Sequence, residues 1–172
     1  MLCISAEEFL FWKKKQLSKG GDQQSFAVLL DCIGGISISD QSLISINPKR
    51  NLHLKKNLEF LESIWEDHLL KSCPIQYLCG ITFWRDLKLK VTNKVLIPRP
   101  ETELIVDIVF NIFSKKSEKL FFAELGTGSG AISIALALAY PLSQGVATDI
   151  DQNALEIANK NFKNFSNQSR SE

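Results

Sequence analysis

Five residues, Gly126-Thr127-Gly128-Ser129-Gly130, separate two segments of opposite character. Before them, Leu120-Phe121-Phe122-Ala123-Glu124-Leu125 is a short apolar run, which reads as a strand buried on both faces of a parallel sheet. After them, Ala131–Ala139 is rich in alanine and aliphatic residues and reads as a helix. A second strand is predicted at Gly145–Asp149, followed by a helix over Asn153–Phe165 carrying Leu155, Ala158, Phe162 and Phe165 inward. The order strand, helix, strand, helix predicts an α/β unit. Its glycine-rich turn falls at the C-terminal edge of the first strand, where such sheets bind ligands.

The residue types in that turn point to a nucleoside cofactor. Glycines admit positive φ and close approach of a ligand to the backbone, and a helix N-terminus offers N–H groups to an anion. Asp149, 23 residues after Gly126, ends the second predicted strand, where a carboxylate can accept both hydroxyl hydrogens of a ribose. A Walker phosphate loop is excluded, because no Gly-Lys-Ser/Thr follows. Gly126-x-Gly128-x-x-Ala131 also satisfies the permissive dinucleotide fingerprint, which keeps an NAD-dependent oxidoreductase open. S-adenosylmethionine is the leading reading, since Glu124 suits its charged amino group better than a pyrophosphate.

Upstream, the chain predicts helices and then a hairpin. Ser5-Ala6-Glu7-Glu8 is a capping box, and Gly20-Gly21 ends the helix it opens. A second helix is predicted from Asp22 to Gly34-Gly35, a short element near Leu43–Ile46 halts at Asn47-Pro48, and a long helix spans Leu52–Lys71. Their apolar stripes need one another for burial, which suggests a small helix bundle. Residues 75–80 read as a loop. Ile81–Trp84 and Leu87–Val91 alternate like strands around Arg85-Asp86. In Ile97-Pro98-Arg99-Pro100-Glu101-Thr102-Glu103, two prolines hold the chain extended before a helix bearing Leu104, Ile105, Ile108, Val109, Ile112 and Phe113 on one face.

Composition narrows the function classes. A net charge of +1 over 172 residues argues against a dedicated nucleic-acid face, and 45% hydrophobic residues suffice for a packed core. Residues 76–119 carry eight basic against five acidic side chains, too mild a bias to assign a partner. Cys3, Cys32, Cys73 and Cys79 form no Cys-x-x-Cys, so reduced thiols and no metal site are expected. Neither a secretory leader nor a membrane span is apparent, and the expected location is the cytoplasm. Trp12, Trp65 and Trp84 are expected in cores, and His53 and His68 in surface or capping roles on or near the long helix.

Three segments together resemble the HemK/PrmC family, the protein-(glutamine-N5) methyltransferases that modify peptide chain release factors. They are Pro74–Gly80, Val95–Glu103 and Glu124–Ala131, continued from Ala147-Thr148-Asp149 through Ala154, Leu155 and Ala158 to Asn161. The resemblance implies an N-terminal helical substrate-recognition domain over 1–73, a β-hairpin connector over 74–98, and the first βαβα part of a class I Rossmann-like, S-adenosylmethionine-binding domain over 99–172. It implies cofactor contacts from Glu124, Gly126, Thr127, Gly128, Ser129, Gly130 and Asp149. Arg99, Pro100, Glu101, Thr102 and Glu103 would shape the cleft. The implied reaction methylates the side-chain amide of a glutamine in the release factor's Gly-Gly-Gln loop.

The family's Asn-Pro-Pro-Tyr motif does not occur. The prolines are Pro48, Pro74, Pro98, Pro100 and Pro141, and no two are adjacent. No catalytic residue is therefore assigned, and the 53 residues from Leu120 onward accommodate two strand–helix units. The polar tail from Asn164 is expected to fray. The chain is expected to be an inactive fragment of the transferase, with self-association through an open sheet edge. The alternatives are a non-catalytic release-factor-binding module and the NAD-dependent oxidoreductase.

Overall fold

The computed structural model describes residues 2–44, 46–47, 50–113, 117 and 119–168. It divides into two compact units, Met1–Cys79 and Gly80–Glu172.

In the first unit, β1 (Leu2–Ser5) leads into α1 (Ala6–Ser18), whose first turn is capped by Ser5 Oγ accepting the Glu8 N–H at 3.2 Å. Asp22 caps α2 (Gln23–Leu29) by accepting the Ser25 N–H at 2.8 Å. The helix continues as a π turn, Leu30–Gly34, and stops at Gly35 with φ of 81°. Next come α3 (Ile38–Ile44), β2 (Asn51–Leu54), α4 (Leu58–Lys71) and α5 (Ile75–Cys79). The core is joined by a run of rings, Phe9 to Trp12, Trp12 to Phe26 and Phe26 to Trp65, with the last pair edge-to-face at 4.8 Å. Trp65 Nε1 donates to the Gln16 carbonyl at 3.2 Å, which satisfies the buried indole.

Four expectations for this unit need correction. It is not a pure helix bundle, because β1 and β2 pair antiparallel with Ile4 opposite Leu52. Leu54 and Leu58 fit a helical i, i+4 spacing, but Leu52 and Leu54 also alternate as a strand does, and pairing with β1 decides the outcome. His53 therefore lies in β2, and α4 starts only at Leu58, capped by Asn57. Residues 75–79 form a short helix rather than a loop, and α3 lies earlier than the element expected near Leu43–Ile46. Pro48, invoked as its stop, lies outside the described residues.

The second unit opens with the hairpin of β3 (Ile81–Trp84) and β4 (Leu87–Lys90), which pair antiparallel with Trp84 opposite Leu87. Arg85 turns the chain at a φ of 49°, an unusual position for a residue with a Cβ. Its guanidinium is held 2.8 Å from Asp107 Oδ1 and 5.5 Å from the centre of the Phe110 ring. A 3₁₀ turn, Pro100–Thr102, feeds α6 (Glu103–Ile112). Then β5 (Phe121–Leu125), α7 (Ala131–Ala139), β6 (Gln144–Thr148) and α8 (Gln152–Gln168) follow, with β5 and β6 parallel and Glu124 opposite Ala147. The core gathers Trp84, Leu87 and Leu89 of the hairpin, Val106 of α6, and Ala131, Ile134, Ala135 and Leu136 of α7.

Two apolar faces differ from expectation. β5 is not buried on both sides: Phe122 and Glu124 are half-buried, whereas Phe121 and Leu125 are 77% and 83% exposed. On α6, Val106 is buried and Val109 and Phe110 are half-buried, while Leu104, Ile105, Ile108 and Ile112 face solvent. That helix is apolar nearly all round, so periodicity could not choose its packed side. The contacts of Phe110 with Tyr140 and Arg85 mark it. α8 also continues to Gln168, so part of the tail expected to fray is helical. Among the described residues no single helix is long and apolar enough to cross a membrane.

Candidate functional site

The glycine turn lies at the C-terminal end of β5 and is fastened to the matching end of β6. The Gly126 and Thr127 N–H groups donate to the Thr148 carbonyl at 2.9 and 2.8 Å. Gly128 N–H donates to Asp149 Oδ2 at 2.8 Å, and Gly130 N–H donates back to the Thr127 carbonyl at 2.8 Å. Gly128 has a φ of 55°, with nothing within 4 Å of where a Cβ would stand, so the left-handed backbone rather than crowding asks for glycine. Gly130, at φ of 83°, is also crowded: a Cβ there would stand 3.3 Å from that of Ala158.

Two carboxylates flank this turn. Asp149 accepts from Gly128 N–H through Oδ2 and from Asp151 N–H at 3.0 Å through Oδ1. The backbone N–H groups of Asp151 and Gly128 hold its pKa below the usual aspartate value. Glu124 accepts from Thr127 Oγ1 at 2.8 Å, from Ser133 N–H at 3.1 Å and from Ser133 Oγ. All three contacts fall on Oε2, and Oε1 accepts none among the described residues. Thr127, Ser129 and Ser133 are buried, so these polar contacts are structural as well as oriented.

The Pro-Arg-Pro segment meets the turn. A cleft of about 130 Å³ is lined on one side by Leu96, Pro98, Arg99 and Thr102. Its other side is formed by Glu124, Gly126, Thr127, Gly128, Ser129, Ala131 and Ile132. The hairpin sets the first wall: Trp84 Nε1 donates to the Arg99 carbonyl at 2.9 Å, and Thr102 N–H donates to the same oxygen at 3.1 Å. Pro100, Glu101 and Glu103 are not part of the lining. Glu103 instead reaches the hairpin, where Oε1 accepts Arg85 N–H at 3.4 Å and Oε2 lies 4.0 Å from the guanidinium. Gly130 and Asp149 lie at the turn, outside the lining itself.

Five contributors were not singled out as site residues from the sequence: Leu96, Pro98, Ala131, Ile132 and Ser133. The aliphatic four carry no chemical signature. Ser133 carries one, as the single hydroxyl within the Ala131–Ala139 run, a polar residue where packing alone would favour an apolar one. Among the described residues no three His, Cys, Asp or Glu side chains are grouped to hold a metal ion.

The donor set indicates what the cleft accepts. A pyrophosphate at this turn would approach the Glu124 carboxylate, which lines the cleft, and would be repelled. A cationic nucleoside derivative meets complementary charge from the same group, and Leu96, Pro98 and Ile132 offer apolar surface beside it. The residues present therefore fit a sulfonium nucleoside better than a dinucleotide.

Comparisons with known proteins find methyltransferases. Residues 100–171 match the family model described as ribosomal protein L11 methyltransferase (PrmA). The release factor glutamine methyltransferase of Prochlorococcus marinus is 42% identical over 160 residues, 92% of this chain and 55% of the relative. That of Synechocystis is 44% identical over 115 residues, 65% of this chain and 38% of the relative. The Streptococcus pneumoniae protein of the same name is 31% identical over 159 residues, covering 92% and 55%. The chain thus spans about half the length of the curated relatives it matches.

Proposed function

This chain belongs to the family of release factor glutamine methyltransferases, and from that premise we propose that it holds S-adenosylmethionine for methylation of a release factor glutamine. The observation that carries the proposal is the meeting of the Arg99–Thr102 wall with the Glu124-to-Ile132 wall at one cleft.

Gly126, Thr127, Gly128, Ser129 and Gly130 shape the backbone beneath the donor. Glu124 Oε1 would accept from its ammonium group, and Asp149 retains lone pairs for the ribose hydroxyls beyond its two backbone contacts. Arg99 and Thr102 close the cleft, while Pro100, Glu101 and Glu103 act at one remove by fixing the 3₁₀ turn and its tie to Arg85. This arrangement fits the first βαβα part of a class I Rossmann-like domain over 99–172, with 1–73 recognising substrate and 74–98 as a hairpin connector.

The bound donor supplies a methyl group on a positive sulfur, an electrophile ready for displacement. The acceptor is the amide nitrogen of the glutamine in the Gly-Gly-Gln loop, whose lone pair is delocalised and weakly nucleophilic. Transfer then depends on holding that nitrogen in line with the methyl and accepting its hydrogens. These 172 residues contain no Asn-Pro-Pro-Tyr segment for that task. They hold the donor and, acting alone, do not complete the transfer. The site of action is the cytoplasm, where translation terminates. The exposed residues of β5 and the open edge of its sheet promote self-association.

A transfer assay with isotopically labelled S-adenosylmethionine and a release factor tests this. Donor binding without incorporation is expected from the 172 residues. Incorporation above background would overturn the non-transferring part of the reading. A non-catalytic release-factor-binding role predicts release-factor capture with no donor binding, and an oxidoreductase predicts stabilisation by NAD; neither is favoured by the relatives found.

A further inference from the structure

Asn161 lies on the packed face of α8 among Ala154, Ile157 and Ala158, and it is fully buried. An amide placed there is costly unless its polar atoms find partners, and a leucine, branched at the same carbon, would avoid the polar cost. The partners are all backbone. Oδ1 accepts the Lys90 N–H at 2.7 Å, while Nδ2 donates to the Lys90 carbonyl at 3.0 Å and to the Ser129 carbonyl at 2.8 Å. The orientation of the amide is fixed by these partners, since an N–H can only donate and a carbonyl can only accept.

The two targets belong to different parts of the unit. Lys90 ends β4, and Asn161 occupies both of its backbone groups as a neighbouring strand would. Ser129 is inside the glycine turn and is itself buried. The turn's other ties, to Thr148 and Asp149, run to the β6 side. Asn161 supplies the tie on the hairpin side, and Ala158, one turn earlier on α8, packs against Gly130.

We infer that Asn161 is a positioning residue for the glycine turn: it clamps the Ser129 carbonyl to β4 and so fixes the turn in the shape that receives the donor. The inference deepens the proposed donor-binding function and rests on it for its consequence, but the clamp itself can be tested without ligand.

The test compares the 172-residue chain with Asn161→Leu and Asn161→Asp. Amide hydrogen exchange by NMR reads the clamp, and calorimetric titration with S-adenosylhomocysteine reads its consequence. Asn161→Leu is expected to speed exchange at Lys90, Gly128 and Gly130 tenfold or more, with exchange at Ile134 and Leu136 in α7 little changed. Affinity for S-adenosylhomocysteine is expected to fall at least tenfold. Asn161→Asp keeps an acceptor for Lys90 N–H but cannot donate when ionised, so Lys90 should stay protected while the turn loosens. If Asn161→Leu fails to fold, the split between Lys90 and the turn in Asn161→Asp decides. Uniform acceleration through β4, β5 and α7, with unchanged affinity per folded molecule, would overturn the inference. If the unmodified chain binds no S-adenosylhomocysteine, the donor-site reading fails, and the exchange pattern still decides whether Asn161 is the clamp.

Discussion

Asp149 Oδ2 accepts the Gly128 N–H at 2.8 Å, so a residue just beyond β6 fixes the turn that follows β5. The carboxylate couples the ends of two neighbouring parallel strands, and its backbone partners hold its pKa below the usual 3.8. A carboxylate whose pKa is depressed on folding contributes stability that is complete above the unfolded value and is lost as pH falls through the lower folded value. The thermal midpoint of the chain should therefore drop below about pH 4, with part of that drop absent in Asp149→Asn. Unfolding curves from pH 2 to 7 for both proteins check this; equal acid sensitivity would remove Asp149 from the account.

Ser133 donates twice to Glu124 Oε2 from a buried position, so its hydroxyl orients the carboxylate that faces the cleft. Ser133→Ala should cost about 1.5–3 kcal/mol, the range for a hydrogen bond to a charged group. Urea unfolding measures the loss. Glu124 would keep Thr127 and the Ser133 N–H, so the fold should survive.

These contacts show which features were legible in the sequence. The Gly126–Gly130 turn, the strands beside it and Asp149 were readable, because glycine, apolar runs and a terminal carboxylate leave local signals. So were the caps at Ser5 and Asp22. β2 was not: Leu52 and Leu54 belong to a strand only because Leu2–Ser5, remote in the chain, pairs with them. The packed side of α6 was hidden by its uniform apolarity. Asn161 is visible in the sequence only as part of a family pattern, because its role depends on two backbone carbonyls and an N–H brought together by folding.

Leu125 and Phe121 project from one face of β5 and are 83% and 77% exposed, with Val146 of β6 also exposed. The chain should associate reversibly as its concentration rises, through this apolar face and the neighbouring sheet edge. Leu125→Lys should shift the sedimentation profile toward monomer. An unchanged profile would place any association elsewhere on the molecule.

Cys79 hydrogen-bonds with Cys32 and is part-buried, and both effects raise its thiol pKa well above the ordinary range. Alkylation requires the thiolate, so Cys79 should react with iodoacetamide at pH 8 at least tenfold more slowly than the exposed Cys3. Mass spectrometry of peptides sampled over time reads each rate. Equal rates would show that the Cys32 contact does not hold in solution.

The cleft between Arg99–Thr102 and the Gly126–Gly130 turn is the proposed seat of a sulfonium nucleoside. Isothermal titration of the 172-residue chain with S-adenosylhomocysteine and, separately, with NAD tests it most directly. One saturable S-adenosylhomocysteine site per chain is expected, weakened at least tenfold by Gly128→Val, with no heat of binding from NAD. Saturable NAD binding with no response to S-adenosylhomocysteine would contradict it.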